Sequence, residues 1–406
     1  MEKSAPAKFN IQKEGLMPQE ETLEIAKQKK QLKIGIPKED HAFESRVPLT
    51  PEAVEILTNY GHEILLERNA GKASNYSDTD YSEKGALISD SRKEVFNSDL
   101  LLKITPPTTK EIDWLKERQT LISSFQSQTH KDEAYIRGLI RKKVTAIAFE
   151  EIQDKHKCDP VVRSMSSIAG TTAVLIAAEY LSNMRGGKGV MLGGIPGISP
   201  SEVIILGAGT AAEYAVRAAM GLGSAVKVFD HSIHRLRRLQ GSVGQLVATS
   251  IFHPKVILKA LRSAEVLIGA IRADSGQTGF FITEEMVKEM KQGSIIIDIS
   301  IDRGGCIETS EPRTQDDPVY TKHGVIHYCV SNIPSRVART ASIAISNVFS
   351  PLIASTGEVG GVTNQLKEDV GFRHGVYIYK GILTNETVGK RFGIPSKDIE
   401  LLMAAF

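Results

Sequence analysis

Residues 201–221 read SEVIILGAGTAAEYAVRAAMG, and their order decides the architecture. An apolar β run, Val203 to Leu206, flows through Gly207-Ala208-Gly209 into an alanine-rich helical stretch. The first glycine permits a tight turn and the second lets backbone approach a pyrophosphate. Ala212, at the third position of a G-x-G-x-x-G/A pattern, is small enough for the helix to pack on the strand. Free N–H groups and partial positive charge at that helix start suit phosphate oxygens. The next strand, AVKVFD, ends at Asp230, 21 residues beyond Gly209. A carboxylate there accepts both ribose hydroxyls and repels a 2′-phosphate. The stretch predicts a dinucleotide site built on Gly207, Gly209, Ala212 and Asp230, with NAD favoured over NADP. His231, Arg235, Arg237 and Arg238 come next; the arginines read as a solvated helix face, while their position keeps a phosphate contact open.

Moving outward, the same pattern repeats. EVLIGAI, SIIIDIS and GVIHYCVSN are further buried-strand runs with helix-length connections. On the N-terminal side, strands are predicted at Lys33 to Ile36, Glu63 to Leu66, Asp99 to Ile104, Thr120 to Ser123 and Thr145 to Phe149, with a helix from Pro51 to Tyr60. Short apolar runs alternating with helix-length segments signal α/β structure with mainly parallel sheets. The two series read as separate domains joined near Pro160 to Gly170. A long helix is expected to follow Ser164, through TTAVLIAAEYLSNM, and a second from Ala338 to Ile353 would lead back to the first domain.

Composition narrows the function. The 406 residues carry 50 Lys and Arg against 48 Asp and Glu, a net charge of +2, without the basic excess of a nucleic-acid or acidic-membrane binder. Three cysteines, Cys158, Cys306 and Cys329, form no C-x-x-C pair, which rules out a disulfide scaffold and fits a reducing cytoplasm. No run reaches about 18 uninterrupted apolar residues, so no membrane partner is expected. Residues 1–31 lack the apolar core of a signal peptide and read as a peripheral extension. His231 with His234, and His323 with His327, lack a third ligand, so no metal is expected.

The flanking residues then carry a family resemblance. MSSIAGTTA (165–173) followed by RGGKGVMLGGIPGISPSEVIILGAGTA (185–211) resembles alanine dehydrogenase and its relative, the NAD-binding alpha subunit of proton-translocating transhydrogenase. IGIPKE and ESRVPLTP near the N-terminus, DLLLKI (99–104), IDISIDRGGCIETSEPRT (297–314) and HYCVSNIPSRVARTAS (327–342) match in the same order. The resemblance implies two Rossmann-like domains with parallel sheets, the NAD-binding domain (160–337) inserted into a discontinuous substrate domain (32–159 and 338–406). It also implies reversible conversion of L-alanine, water and NAD to pyruvate, ammonium and NADH, by a homo-oligomer, hexamer or dimer, packed through helices around Thr171 to Met184. The chain lacks the insertion near PVVRSMSSIAG by which the transhydrogenase subunit engages its partner, which leaves that activity as the alternative.

Arg46, in ESRVPLTP, has the planar fork for a substrate carboxylate; the bland reading is a surface ion pair with Glu44. Lys103 closes an apolar strand, and strand ends are where α/β clefts lie. The resemblance makes it bind the substrate's carboxylate or carbonyl oxygen, where a cation stabilises developing oxyanion charge. Pro106 stands where relatives have an acidic residue. Asp302 resembles an aspartate beside nicotinamide and substrate, and Asn332 a residue that hydrogen-bonds the nicotinamide side. Ser166 and Ile168 resemble residues near the cofactor, with an N-cap as the other reading of Ser166. One position departs: the histidine that relatives carry in the segment LISSFQSQTH is Gln126 here. Glutamine exchanges hydrogen bonds but cannot shuttle a proton near neutral pH. Proton transfer would then fall to Lys103, Asp302 or water, His130 being four residues away, or the chain would be a catalytically impaired NAD-binding relative.

Overall fold

The computed structural model describes residues 29–39, 44–125, 132–271 and 281–405. The extension expected over residues 1–31 lies almost wholly outside these, as do Gln126 and His130. Six strands come first: β1 (Lys33–Ile36), β2 (Glu63–Glu67), β3 (Leu87–Ser89), β4 (Leu100–Leu102), β5 (Thr120–Ser123) and β6 (Thr145–Ala148). Seven follow: β7 (Glu202–Leu206), β8 (Ala225–Phe229), β9 (Ala248–Ser250), β10 (Val266–Gly269), β11 (Ile295–Asp298), β12 (Val319–Lys322) and β13 (Val325–Tyr328). Two more, β14 (Val376–Tyr379) and β15 (Ile382–Leu383), complete the set. Strands such as β4 and β10 are buried at every position, because a parallel sheet with helices on both faces leaves neither set of side chains to solvent.

The first sheet runs β15-β14-β6-β5-β4-β1-β2-β3 and the second β12-β13-β11-β10-β7-β8-β9. All neighbours are parallel except β14 against β6, β15 against β14, and β12 against β13. Each sheet reverses its winding once, between β1 and β4 and between β7 and β10. Ligands of open α/β sheets bind beyond the carboxyl ends of strands at such switch points. The chain from the last third thus adds β14 and β15 to the edge of the first sheet. The antiparallel edge strand β12 was not expected from the sequence; its half-buried VYTK lacks the apolar run of its neighbours.

Two helices differ from expectation for local reasons. The first begins at Pro160 and ends at Leu181, with Asp159 extended at the cap position. Proline fits a first helical turn, where its missing N–H is not needed. Ser166 therefore lies inside the helix and is no N-cap. The second runs from Ala338 to Glu358, straight through Pro351. Val161 and Met165 pack into the core of the first sheet, and Ala169 to Leu181 into that of the second, so one helix spans both. At Gly170 a Cβ would stand 2.0 Å from the carbonyl oxygen of Ala211, so only glycine lets this helix lie on the helix Thr210–Gly221.

By length and apolarity alone, Pro160–Leu181 and Ile333–Glu358 are capable of crossing a membrane, although the sequence showed no uninterrupted run; 44% and 50% of their apolar windows are packed inside the protein.

Candidate active site

At the switch point of the first sheet, Lys103 follows β4 and Glu39 follows β1. Both are buried. The Lys103 ammonium donates to Glu39 Oε2 at 2.9 Å and to Thr105 Oγ1 at 2.6 Å. Glu39 Oε1 accepts the backbone N–H of Ile104 at 2.6 Å, and Oε2 also accepts the Thr105 hydroxyl. Burial pushes the Glu39 carboxyl pKa upward, against the pull of Lys103 and the Thr105 bond and with help from the charge of Glu44. Glu39, from the end of β1, is thus the carboxylate paired with Lys103. Sequence reasoning missed it, although Glu39 closes the IGIPKE motif.

Arg46 and Glu44 form the second group. The ion pair exists, but it is buried and bidentate where a surface pair was the alternative: Nε donates to Oε1 at 2.7 Å and Nη2 to Oε2 at 2.5 Å. Burial raises the Glu44 pKa, but the Arg46 guanidinium and its hydrogen bonds outweigh that and hold the carboxyl below its ordinary value. Glu44 Oε2 also accepts Asn332 Nδ2 at 2.9 Å. Asn332 follows β13 of the other sheet and takes a left-handed conformation, φ 60°, which asparagine adopts more readily than most residues. The remaining arginine nitrogen, Nη1, faces the Met165 sulfur at 3.4 Å.

The loop carrying Arg46 is held from below. Backbone N–H groups of Ser45, Val47 and Thr50 donate to the hydroxyls of Ser335, Ser342 and Ser346 at 2.8, 2.9 and 3.1 Å. Serines 342 and 346, four apart on the helix Ala338–Glu358, were the signal available and unused. A cleft of about 250 Å³ opens between Lys38, Glu39, Glu44, Ser45, Arg46 and Lys72.

At the second switch point the glycine turn has the predicted form. Gly207 has φ +99°, and a Cβ there would meet the Ala270 carbonyl oxygen at 2.5 Å, whereas nothing lies within 4 Å of one on Gly209. The helix Thr210–Gly221 starts directly after Gly209, and Ala212 is fully buried against the sheet. Asp230 is buried, accepting Ala208 N–H and Ser232 N–H, both at 2.7 Å. Arg238 is not merely a solvated face: its Nη2 donates to the Ala208 carbonyl at 3.0 Å, across the turn. A tight turn with open space above a helix N-terminus, beside an oriented carboxylate, fits a dinucleotide.

Asp302 lies in the 3-10 turn Ile301–Arg303 after β11. It is exposed, although desolvation by the surrounding protein still raises its carboxyl pKa. The loop is tied at both ends by Asp298, which accepts from Ser300 N, Cys306 N and Ser310 Oγ at 3.0, 3.0 and 2.8 Å. Cys306 and Cys329 are buried, and burial raises both thiol pKa values. The structure therefore brings Arg46, Glu44 and Asn332 into contact and sets Lys103, buried, against Glu39, which lines the adjoining cleft. Asp302 and Ser166 hydrogen-bond to neither group. Among the described residues, no three His, Cys, Asp or Glu are grouped to hold a metal ion.

Two doubly wound sheets, with a glycine turn on one switch point and a cationic cleft on the other, define a dinucleotide-dependent α/β oxidoreductase. The chain belongs to the alanine dehydrogenase/PNT family. Its residues 35–169 match the family's N-terminal domain and 173–386 its C-terminal domain. It is 36% identical over 368 residues to alanine dehydrogenase of Staphylococcus saprophyticus, spanning 90% of this chain and 98% of that protein. A solved L-alanine dehydrogenase superposes with a TM-score of 0.83 at 32% identity, covering 89% of this chain and 99% of the other. The transhydrogenase from Sinorhizobium meliloti shares the fold, with a TM-score of 0.75 at 21% identity, covering 87% and 99%.

Proposed function

We propose that the protein catalyses reversible, NAD-dependent oxidative deamination of L-alanine to pyruvate and ammonium. The observation that carries this reading is the Arg46–Glu44–Asn332 junction, which couples a carboxylate-binding cation to the end of β13 in the sheet that carries the dinucleotide turn. Glu44 occupies the Nε–Nη2 edge of the guanidinium, so Arg46 presents Nη1, which here lies against the Met165 sulfur, to the substrate carboxylate. Lys103 stabilises negative charge on the oxygen that becomes the ketone. Asp302 faces the amino nitrogen and stabilises the iminium cation. Gly207, Gly209 and Ala212 shape the pyrophosphate cradle, Asp230 takes the ribose hydroxyls, and Ser166 and Asn332 flank the nicotinamide. Bound NAD supplies the acceptor for the hydride leaving the α carbon. Gln126 orients water or substrate by hydrogen bonding, without taking up a proton.

On this reading the substrate domain is 32–159 with 338–406, and the NAD-binding domain is 160–337, supported by the separate cores beneath the two sheets. We place the protein in the cytoplasm, as a homo-oligomer whose contact includes the exposed Leu175 and Met184, with small molecules as its other partners and neither membrane nor nucleic acid among them. A screen of small L-amino acids with NAD and NADP in parallel, following reduced cofactor by absorbance, tests the reading: alanine with NAD should give the highest kcat/KM. A different preferred amino acid would replace the substrate but keep the class.

A further inference from the structure

We propose that Thr105 and Glu39 relay the proton that Gln126 cannot carry, through Lys103. The inference rests on the alanine reading and adds two residues to its chemistry. Lys103 Nζ lies 2.6 Å from Thr105 Oγ1 and 2.9 Å from Glu39 Oε2, and the Thr105 hydroxyl donates to the same Oε2. These three groups form a closed ring in which each neighbour is already hydrogen-bonded. The Ile104 N–H fixes Oε1 at 2.6 Å, so the carboxylate does not swing away. Glu39 is among the residues that line the cleft, which is the route to solvent in this proposal.

Hydration of the iminium sets the demand: iminium and water yield the neutral carbinolamine and one proton. In the relay, the Lys103 ammonium passes a proton to Thr105 Oγ1 as the threonine's own hydroxyl proton moves to Glu39 Oε2. A neutral amine and a carboxylic acid result. The Lys103 amine then takes a proton from the water whose oxygen bonds to the iminium carbon, while the C=N π pair moves onto nitrogen. Lys103 is again an ammonium, Glu39 gives its proton to solvent through the cleft, and one proton leaves per carbinolamine with no change of oxidation state. A buried ion pair loses much of its advantage over the neutral pair because both charges are desolvated, and burial raises the affinity of Glu39 for a proton. The charged groups around the ring are Lys38, Glu44, Arg46 and Lys72 in the cleft and Glu111, whose charge acts on Lys103. In this proposal Thr105 and Glu39 are positioning residues acting through Lys103.

Steady-state alanine oxidation by variants that retain NAD binding tests this. Thr105→Val keeps the side-chain shape and removes the hydroxyl; kcat should fall about 10²-fold, and Thr105→Ser should recover most of that loss. Glu39→Gln should show a similar fall in kcat with an unchanged or lowered KM for alanine, because Lys103 loses its counter-charge. The kcat–pH profile of Glu39→Gln should lose the ionisation that wild type shows on its acidic side. A merely structural role would instead raise KM and leave the profile in place. Thr105→Val with kcat within about threefold of wild type would overturn the relay while leaving the alanine reading intact. Wild-type protein without alanine turnover would overturn both.

Discussion

At the residue scale, Arg46, the substrate arginine of the proposed reading, is already half engaged. Glu44 holds Nε and Nη2 of Arg46 in a buried fork, so the geometry depends on planarity as much as on charge. Arg46→Lys keeps the charge and loses the fork. A lost charge-assisted hydrogen bond costs about 1.5–3 kcal/mol, so the KM for alanine should rise about 10- to 100-fold, with a smaller change in kcat. Steady-state kinetics checks this, and an unchanged KM would remove Arg46 from substrate binding. On the same reading Asp230 sets the cofactor choice. Asp230→Asn keeps an acceptor for the Ala208 N–H but removes the charge facing a 2′-phosphate. The ratio of kcat/KM with NADP to that with NAD should rise about tenfold or more, with Arg238 already beside the turn. An unchanged ratio would assign specificity elsewhere. Both residues were legible in the sequence because each sits next to a local pattern. Glu39, Glu44 and Thr105 were not read as functional, since their role appears only when β1 and β4 lie side by side.

At the scale of elements, β13 carries a pH-sensitive group outside the site. His327 is fully buried; its Nδ1 donates to the Val325 carbonyl at 2.9 Å, so Nε2 accepts from the Thr309 hydroxyl at 2.7 Å. Burial lowers its pKa to about 4, below the ordinary value of about 6.5. As pH falls from 6.5 toward 4, the unfolded chain gains a proton that the folded chain refuses. The stabilising difference is therefore complete above about pH 6.5 and is lost below it, by about 2 kcal/mol between pH 7 and pH 5. Denaturant unfolding of wild type and His327→Gln at the two pH values checks the sign: the variant should lose less stability on acidification. Equal losses would show that His327 is not the responsible group. Element starts followed the same logic of visibility. Pro160 after Asp159 is a helix-start signal, and placing the start after Ser164 gave it too little weight against the following apolar run.

At the scale of the molecule, alternation of strand and helix, the glycine turn and the acidic strand end were enough to indicate an α/β oxidoreductase. The approach of the Arg46 loop to the end of β13 was not legible, because it rests on a contact between Glu44 and Asn332, 288 residues apart. No local periodicity encodes such a contact. On the proposed reading, this arrangement oxidises alanine with glutamine at position 126. The most direct measurement incubates the purified full chain with NAD and L-alanine and quantifies both products. The account predicts NADH and pyruvate formed in equal amounts, at a rate abolished by Lys103→Ala. NAD binding with neither product formed, across a wide pH range, would contradict it.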